Sequence, residues 1–359
     1  MKIVVVCGMS DDKVRANLLP LQELDSVKQI FLVRRLPLDA KKTKSFSPPR
    51  LLRWSLFLSE LYRFFTLIYL CAREKPDFIY AIYFVPHGIY AAIVGSLFGI
   101  PVIQELIGTD RPKVAKSKLF QSLLKKSARI GVRGSTSIDQ LVSLGIPKEK
   151  LFVPTAVNVL DFSLFKPNPV PKTYDLIYCG RMDKNKQIDI LINAVSIFCQ
   201  EHPEIRIALV GDGPERPNLE KQSAQLALNE VITFIGNQPY QMIPGVLNQS
   251  KVFMMASAFE GLPVAMIEAM SCGLPVVVPD VGDIRDVAVD GYNALLVKDR
   301  GAARYAEAFL ALLTDSDLYK RLAEGALETR NRFLDDYSLE KAKAIWAEAI
   351  SSVSSGRLS

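Results

Sequence analysis

Histidine is nearly absent from this chain: 359 residues include only 2, His87 and His202. The 5 cysteines, Cys7, Cys71, Cys179, Cys199 and Cys272, are scattered and form no CxxC pair. Such a ligand supply argues against a zinc site, and thiols in apolar contexts are the expectation for a reduced, cytosolic protein. A P-loop lysine, an HExxH helix and a nucleophile elbow are also missing. There is no low-complexity tract, nor a block of like charge long enough to mark a disordered tail. Met1-Lys2 followed by Ile3-Val4-Val5-Val6-Cys7 is too short for a signal-peptide core and reads as a first strand, so a cytoplasmic location is expected.

With 49% hydrophobic and 23% charged residues, the chain has ample material to bury and is too long for one ordinary core. Buried strands are expected at 2–7, 29–33, 78–83, 102–105, 129–132 and 151–153, with helices near 12–20, 50–73, 88–98, 116–126 and 136–144. Lys166-Pro167-Asn168-Pro169-Val170-Pro171-Lys172 is the richest proline stretch and reads as a linker. Beyond it the alternation restarts, with strands at 175–179, 206–210, 231–235, 251–256, 276–278 and 294–297 and three closing helices near 301–313, 316–331 and 339–353. Strand, helix, strand at this spacing implies parallel, doubly wound sheets. The fold class is therefore α/β, with two Rossmann-like domains facing a cleft: 1–167, 168–335, and a C-terminal helix within 336–359 that packs back on the first domain.

Charge and aromatic residues are unevenly spread. Arg34, Arg35, Lys41, Lys42, Lys44, Arg50 and Arg53 face a single acid, Asp39, and lead into the aromatic-rich stretch 54–72. Glu60 and Arg63 in its middle argue against a membrane span. Two readings stay open and compatible: docking on an anionic membrane surface, or a core helix behind a loop. A single basic loop without a reader motif gives no reason to expect a nucleic-acid partner.

Three strand ends carry chemistry. Gly180-Arg181-Met182-Asp183-Lys184-Asn185-Lys186 places fixed cations before a helix, an arrangement suited to phosphate. Gly211-Asp212-Gly213 is a tight turn but lacks the third glycine of a dinucleotide fingerprint. The third stretch, Glu260-Gly261-Leu262-Pro263-Val264-Ala265-Met266-Ile267-Glu268, follows a strand and opens a helix at proline. Gly273 is placed to end that helix and Pro275 forbids its continuation. Glu268 lies among apolar neighbours, which favours a site over a solvated face. His87, in Val85-Pro86-His87-Gly88, is placed either to face the cleft or to cap a helix, and His202 reads as a surface residue. Asp315-Ser316-Asp317 reads as a helix N-cap rather than a metal-holding DxD.

Together these stretches resemble the retaining, GT-B fold glycosyltransferases of family 4, the glycosyltransferase group 1 family. The likeness covers 175–297 and is looser before it. Glu260-x7-Glu268 with Glu268-Ala269-Met270-Ser271-Cys272-Gly273-Leu274-Pro275-Val276 resembles the family's E-x7-E signature, and Gly180-Arg181 with Lys186 its diphosphate clamp. The resemblance implies a UDP- or GDP-sugar donor and a glycan or lipid-linked acceptor, and the basic, aromatic-rich segment adds the expectation of cell-surface polysaccharide or glycolipid synthesis. The enzyme would be peripheral on the inner membrane face, with no cofactor and no metal.

By resemblance, Arg181 and Lys186 neutralise the diphosphate, Glu260 lies against the donor sugar, and Glu268 accepts hydrogen bonds from the ribose. The backbone of Gly261, Leu262, Pro263, Val264 and Ala265 holds sugar and phosphate, and Gly8 joins the donor-binding residues. The leaving phosphate helps deprotonate the acceptor. Departures occur at Ile107 in Ile107-Gly108-Thr109-Asp110, where relatives carry histidine, and His87 is expected to take part of that catalytic role. Others are Gln187 for a glycine, Asn158-Val159-Leu160-Asp161 for N-G-V-D, and one glycine in Gly8-Met9-Ser10 where relatives often have two. A nucleotide-sugar 2-epimerase on the same fold and a non-catalytic nucleotide-sugar-binding partner are the rival readings.

Overall fold

The structure of the protein is a computed structural model that describes residues 1–107, 110–154 and 161–355. Gly108 and Thr109 of the Ile107–Asp110 stretch, and Asn158, Val159 and Leu160, lie outside the described residues. The chain divides into two compact units, one of Met1–Val159 with Asp336–Ser359 and one of Leu160–Asp335.

The first unit is built on a sheet of seven strands: β1 (Lys2–Val6), β2 (Gln29–Val33), β3 (Thr43–Phe46), β4 (Phe78–Ile82), β5 (Val102–Glu105), β6 (Arg129–Gly131) and β7 (Leu151–Phe152). Their order is β3-β2-β1-β4-β5-β6-β7, and every neighbouring pair is parallel. Parallel sheets are covered on both faces, so their strands read as unbroken apolar runs. The two-residue period of a strand sends successive side chains to opposite cores. Ile3, Val5 and Cys7 join Leu18, Leu21, Trp346 and Ile350 in one core, while Val4 and Val6 join Leu67, Leu70, Ile79 and Val94 in the other.

Three local features depart from the expectations. Thr43–Phe46 is an edge strand inside the basic segment, short and half-exposed as edges commonly are. The stretch expected as one helix over 50–73 is a 3₁₀ turn, Arg50–Trp54, and a helix, Leu56–Glu74, separated by Ser55, whose hydroxyl accepts the Leu58 amide at 3.3 Å. Ser117 divides Asp110–Lys116 from Lys118–Lys125 in the same way, accepting from the Phe120 amide at 3.3 Å. In each case a side-chain cap competes with helix continuation.

The second unit has six strands: β8 (Tyr174–Cys179), β9 (Ile207–Val210), β10 (Ile232–Gly236), β11 (Ser250–Met254), β12 (Val276–Pro279) and β13 (Ala294–Val297). They run parallel in the order β10-β9-β8-β11-β12-β13. This unit begins before the proline stretch rather than after it. Phe165 is fully buried with its ring 5.2 Å from Tyr240, and Arg330 Nη2 donates to the Phe162 carbonyl at 3.1 Å. The Asn248 amide group accepts from Asn168 N at 2.8 Å and donates to Lys166 O at 3.1 Å, so 161–168 is part of this unit's wall. Asp315 Oδ1 accepts the amides of Asp317 and Leu318 at 3.0 and 2.9 Å, which makes it a helix N-cap.

The C-terminal helix Leu339–Ser355 belongs to the first unit. Trp346 is buried, with ring centroids 4.8 Å from Tyr80 and 5.6 Å from Phe152. Truncating it would leave a cavity between helix and sheet. Trp346→Ala is expected to destabilise the first unit by ~3–5 kcal/mol in urea unfolding. Ser352→Ala, which removes an exposed hydroxyl that accepts from Arg129 and donates to the Ala349 carbonyl, should stay within about 0.5 kcal/mol.

Candidate functional site

In each sheet the connections leave the central pair in opposite directions: β1 and β4 in the first unit, β8 and β11 in the second. The crevice at the carboxyl ends of such a pair is where open α/β sheets bind ligands. Arg181, Lys186, Glu260 and the 261–265 backbone stand at the β8/β11 crevice, and Gly8 and His87 at the β1/β4 crevice.

At β8/β11 the loops are held together by backbone. Gly180 N donates to Val210 O at 3.0 Å, Met182 N to Asp212 O at 2.9 Å, and Glu215 N to Met182 O at 3.0 Å. A Cβ on Gly211 would stand 1.9 Å from Gly180 O, and one on Gly213 2.2 Å from Met182 O. Both glycines of Gly211-Asp212-Gly213 thus serve the close approach of two loops, which accounts for the incomplete fingerprint. Asn185 joins the other pair of loops: its Nδ2 donates to Phe259 O at 2.9 Å, and its carbonyl accepts the Ala258 amide at 2.7 Å.

That join brings Lys186 onto Glu260, Nζ to Oε1 at 2.6 Å, with both side chains mostly buried. Arg181 extends into solvent, its Nε 3.4 Å from Asp183 Oδ2, while its carbonyl accepts from the Tyr178 hydroxyl at 2.9 Å. Gln187 takes the left-handed conformation (φ 47, ψ 45) that suits a glycine, and its Oε1 accepts from Arg300 Nη1 at 3.0 Å.

Pro263 is the N-cap of helix Val264–Ser271, where the Val264 and Ala265 amides lack intrahelical acceptors and Met266 N donates to Pro263 O at 3.2 Å. At the other end Leu274 N donates to Ala269 O and Gly273 N to Met270 O, at 3.1 and 2.9 Å, with Gly273 at φ +82: a Schellman close. Glu268 is buried on this helix, between the end of β8 and the helix terminus. Burial pushes the thiols of Cys179 and Cys272 each up to about 12, and the Glu268 carboxylate adds to both. Both cysteines therefore stay neutral thiols.

At β1/β4 the structure brings Gly8 and His87 together: a Cβ on Gly8 would lie 2.8 Å from His87 Cε1. His87 is buried, with Nδ1 3.2 Å from Ile82 O and Nε2 2.8 Å from Arg63 Nη1. A guanidinium only donates, so Nε2 is the acceptor and Nδ1 carries the proton. Burial, then the Arg63 charge, lowers the imidazole pKa from 6.5 to about 3. With both nitrogens engaged, His87 is held as a neutral ring against the Gly8 turn. Arg63 also pairs with Glu60 and donates to Cys7 O at 3.3 Å.

Asp110 is buried and accepts the Phe84 amide at 2.7 Å and the Ile107 amide at 3.4 Å, tying the loop after β4 to the loop after β5. Sequence reasoning gave no role to Asn185, Tyr178, Arg63 or Asp110. Arg63 had a signal, a charge inside an apolar helix, but it was read only against a membrane span.

The family described as Glycosyl transferases group 1 matches residues 161–329, and that described as Glycosyl transferase 4-like matches residues 39–138. Alpha-D-kanosaminyltransferase of Streptomyces kanamyceticus is 28% identical over 42% of this chain, which spans 39% of the relative's length. D-inositol 3-phosphate glycosyltransferase of Streptomyces bingchenggensis is 31% identical over 48% of this chain, spanning 40% of that relative. The crystal structure of Anabaena HepE in complex with UDP-glucose shares the fold, with a TM-score of 0.76 and 18% identity over 98% of this chain and 100% of the other. Two parallel Rossmann-like sheets, the Glu260-x7-Glu268 helix at the second switch point and matches in both units lead to one family: the chain belongs to the GT-B glycosyltransferases of group 1, family 4.

Proposed function

We propose that the protein is a retaining glycosyltransferase that moves a sugar from a nucleoside diphosphate sugar, UDP- or GDP-linked, to a glycan or lipid-linked acceptor. Its setting would be cell-surface polysaccharide or glycolipid synthesis, with the enzyme peripheral on the cytoplasmic face of the membrane. The observation that carries the reading is the convergence of Arg181, the Lys186–Glu260 pair and buried Glu268 at the β8/β11 switch point. A solved structure of the same fold bears UDP-glucose, which supports this donor class.

In this reading the acceptor hydroxyl oxygen bonds to the anomeric carbon as the bond from that carbon to the diphosphate breaks. The hydroxyl proton passes to the departing phosphate oxygen, so no side-chain base is required. The main catalytic demand is to stabilise the departing negative charge. Arg181, Lys186 and the first amides of helix Val264–Ser271 supply that stabilisation, and no metal or other cofactor is called on. Lys186 is already paired, so a diphosphate competes with Glu260 for its ammonium, leaving the Glu260 carboxylate to meet sugar hydroxyls. The ribose diol suits a carboxylate held still by packing, which is the position of Glu268.

Saturating UDP, at ~100 times its Kd, should stabilise the second unit by ~2.7 kcal/mol, read as a thermal shift of about 5 °C or more. Glu268→Ala should remove most of that shift. Arg181→Ala, which loses one charged contact, should weaken UDP binding about tenfold and slow donor hydrolysis further. Absence of any shift with UDP and GDP alike would overturn the donor site; a shift without turnover on any acceptor would overturn the transfer reaction.

The state of His87 gives a separate test. Because its folded pKa is about 3 against 6.5 unfolded, the unfolded chain binds the extra proton between those values. The resulting stability is fully present above pH 6.5 and is lost as pH falls toward 3. Nitrogen-15 NMR of the imidazole should show one tautomer, protonated at Nδ1, unchanged from pH 8 to about pH 5. A titration inside that range would show that Arg63 does not hold the ring.

A further inference from the structure

The three most exposed large apolar side chains among the described residues, Trp54, Leu51 and Phe57, share one segment. Leu51, Trp54, Leu56, Phe57 and Phe65 all lie open on the 3₁₀ turn Arg50–Trp54 and the outer side of helix Leu56–Glu74, with Trp54 91% exposed. Isolated exposed residues need no explanation, but a continuous apolar patch marks a binding surface. Between this helix and β3 runs a groove of about 570 Å³, whose lining includes Phe46, Tyr62, Phe65 and Tyr69. Cations stand at the aromatic rings of that lining: Lys44 Nζ lies 5.6 Å from the Phe46 ring, and the Arg73 guanidinium 5.9 Å from the Tyr69 ring. Arg35, Lys41 and Arg50 are exposed on the segment leading in.

The opposite side of the same helix is committed to the fold. Ser59, Arg63, Leu67, Leu70 and Cys71 are buried against the sheet. No helix among the described residues is long and apolar enough to cross a membrane. A helix fixed along one side and apolar along the other, with cations at its margin, presents itself flat to a bilayer interface. We propose that 50–69 is a docking surface for an anionic lipid bilayer, with Trp54, Phe57 and Phe65 entering the acyl boundary and Lys41, Lys44 and Arg50 meeting lipid phosphates. The proposal rests on the reading of the chain as a peripheral glycosyltransferase and deepens it by naming the surface that would bring it to a lipid-linked acceptor.

The protein's 2 tryptophans provide the probe, since Trp54 is open and Trp346 is buried. Ligand-free full chain is mixed with vesicles of phosphatidylcholine alone or with added phosphatidylglycerol, and emission and co-sedimentation are followed. The expected result is a blue shift with anionic vesicles, abolished in Trp54→Phe, with binding weakened by salt. Phe57→Ser with Phe65→Ser should lower apparent lipid affinity about tenfold or more. Neutralising Lys41, Lys44 and Arg50 to glutamine should lower it about fivefold per charge.

UDP-induced stabilisation in the same preparations monitors the donor unit independently. No vesicle binding with that stabilisation intact overturns the docking surface alone, whereas vesicle binding without UDP stabilisation leaves it standing and overturns the donor site. Equal, salt-insensitive binding to uncharged vesicles overturns the charge assignment. A concentration-dependent dimer that Phe57→Ser with Phe65→Ser dissociates, without vesicle binding, overturns the proposal in favour of a second copy of the chain.

Discussion

Parallel strands must be joined by crossovers, and where those crossovers turn away from each other the sheet is left with a crevice at its carboxyl edge. This constraint governs both units. Between β8 and β11 it opens space for the loops 180–187 and 255–263, which no crossover fills. The loops then have to hold each other, and they do so with backbone and amide groups. Asn185 binds the β11 loop on one side, while Gly211 and Gly213 allow the β9 loop to lie against the other. The charged side chains inherit their positions from that join.

The Lys186–Glu260 pair follows from it. A bare ammonium beside helix amides would add to an unbalanced positive field, and a bare carboxylate there would be half-desolvated. Paired at 2.6 Å, each offsets the other while the site is empty. In the proposed transfer, a diphosphate would bring two charges and several acceptor oxygens, against the single carboxylate it would displace. Glu268 does not exchange in this way. It is buried on the packed helix Val264–Ser271, so its position is set by the fold.

Much of this was legible in the residues. Apolar runs such as Ile3–Val6 mark strands buried on both faces, and Pro263 and Gly273 bracket the helix they were expected to bracket. What escaped was of two kinds. Ser55 splits the helix expected over 50–73 because one hydroxyl can satisfy an amide that the helix would otherwise need, a local competition that apolar periodicity does not register. The second unit takes in 161–168 because Phe165, Arg330 and Asn248 meet there from distant positions, and no composition rule foresees such a meeting. His87 combines both difficulties. Its place after β4 was visible, but its charge state depends first on burial and then on an arginine 24 residues earlier.

Helix Leu56–Glu74 shows how one element can serve two environments. Its buried side carries Arg63, which closes on Glu60, His87 and the Cys7 carbonyl beneath the Gly8 turn. Its outer side carries the open aromatic residues. A charge in the middle of an apolar helix is costly unless it is paired and hydrogen-bonded, and here Glu60 of the same helix, His87 and the Cys7 carbonyl after β1 supply the partners. The same pairing helps fix the helix in rotation, so that side chains half a turn away, such as Phe65, point outward. Arg63 therefore does two things at once: it sets the ring of His87 against Gly8, and it determines which face of the helix is left for the surroundings. Any change that releases Arg63 would disturb both faces together, because the helix cannot turn one without turning the other.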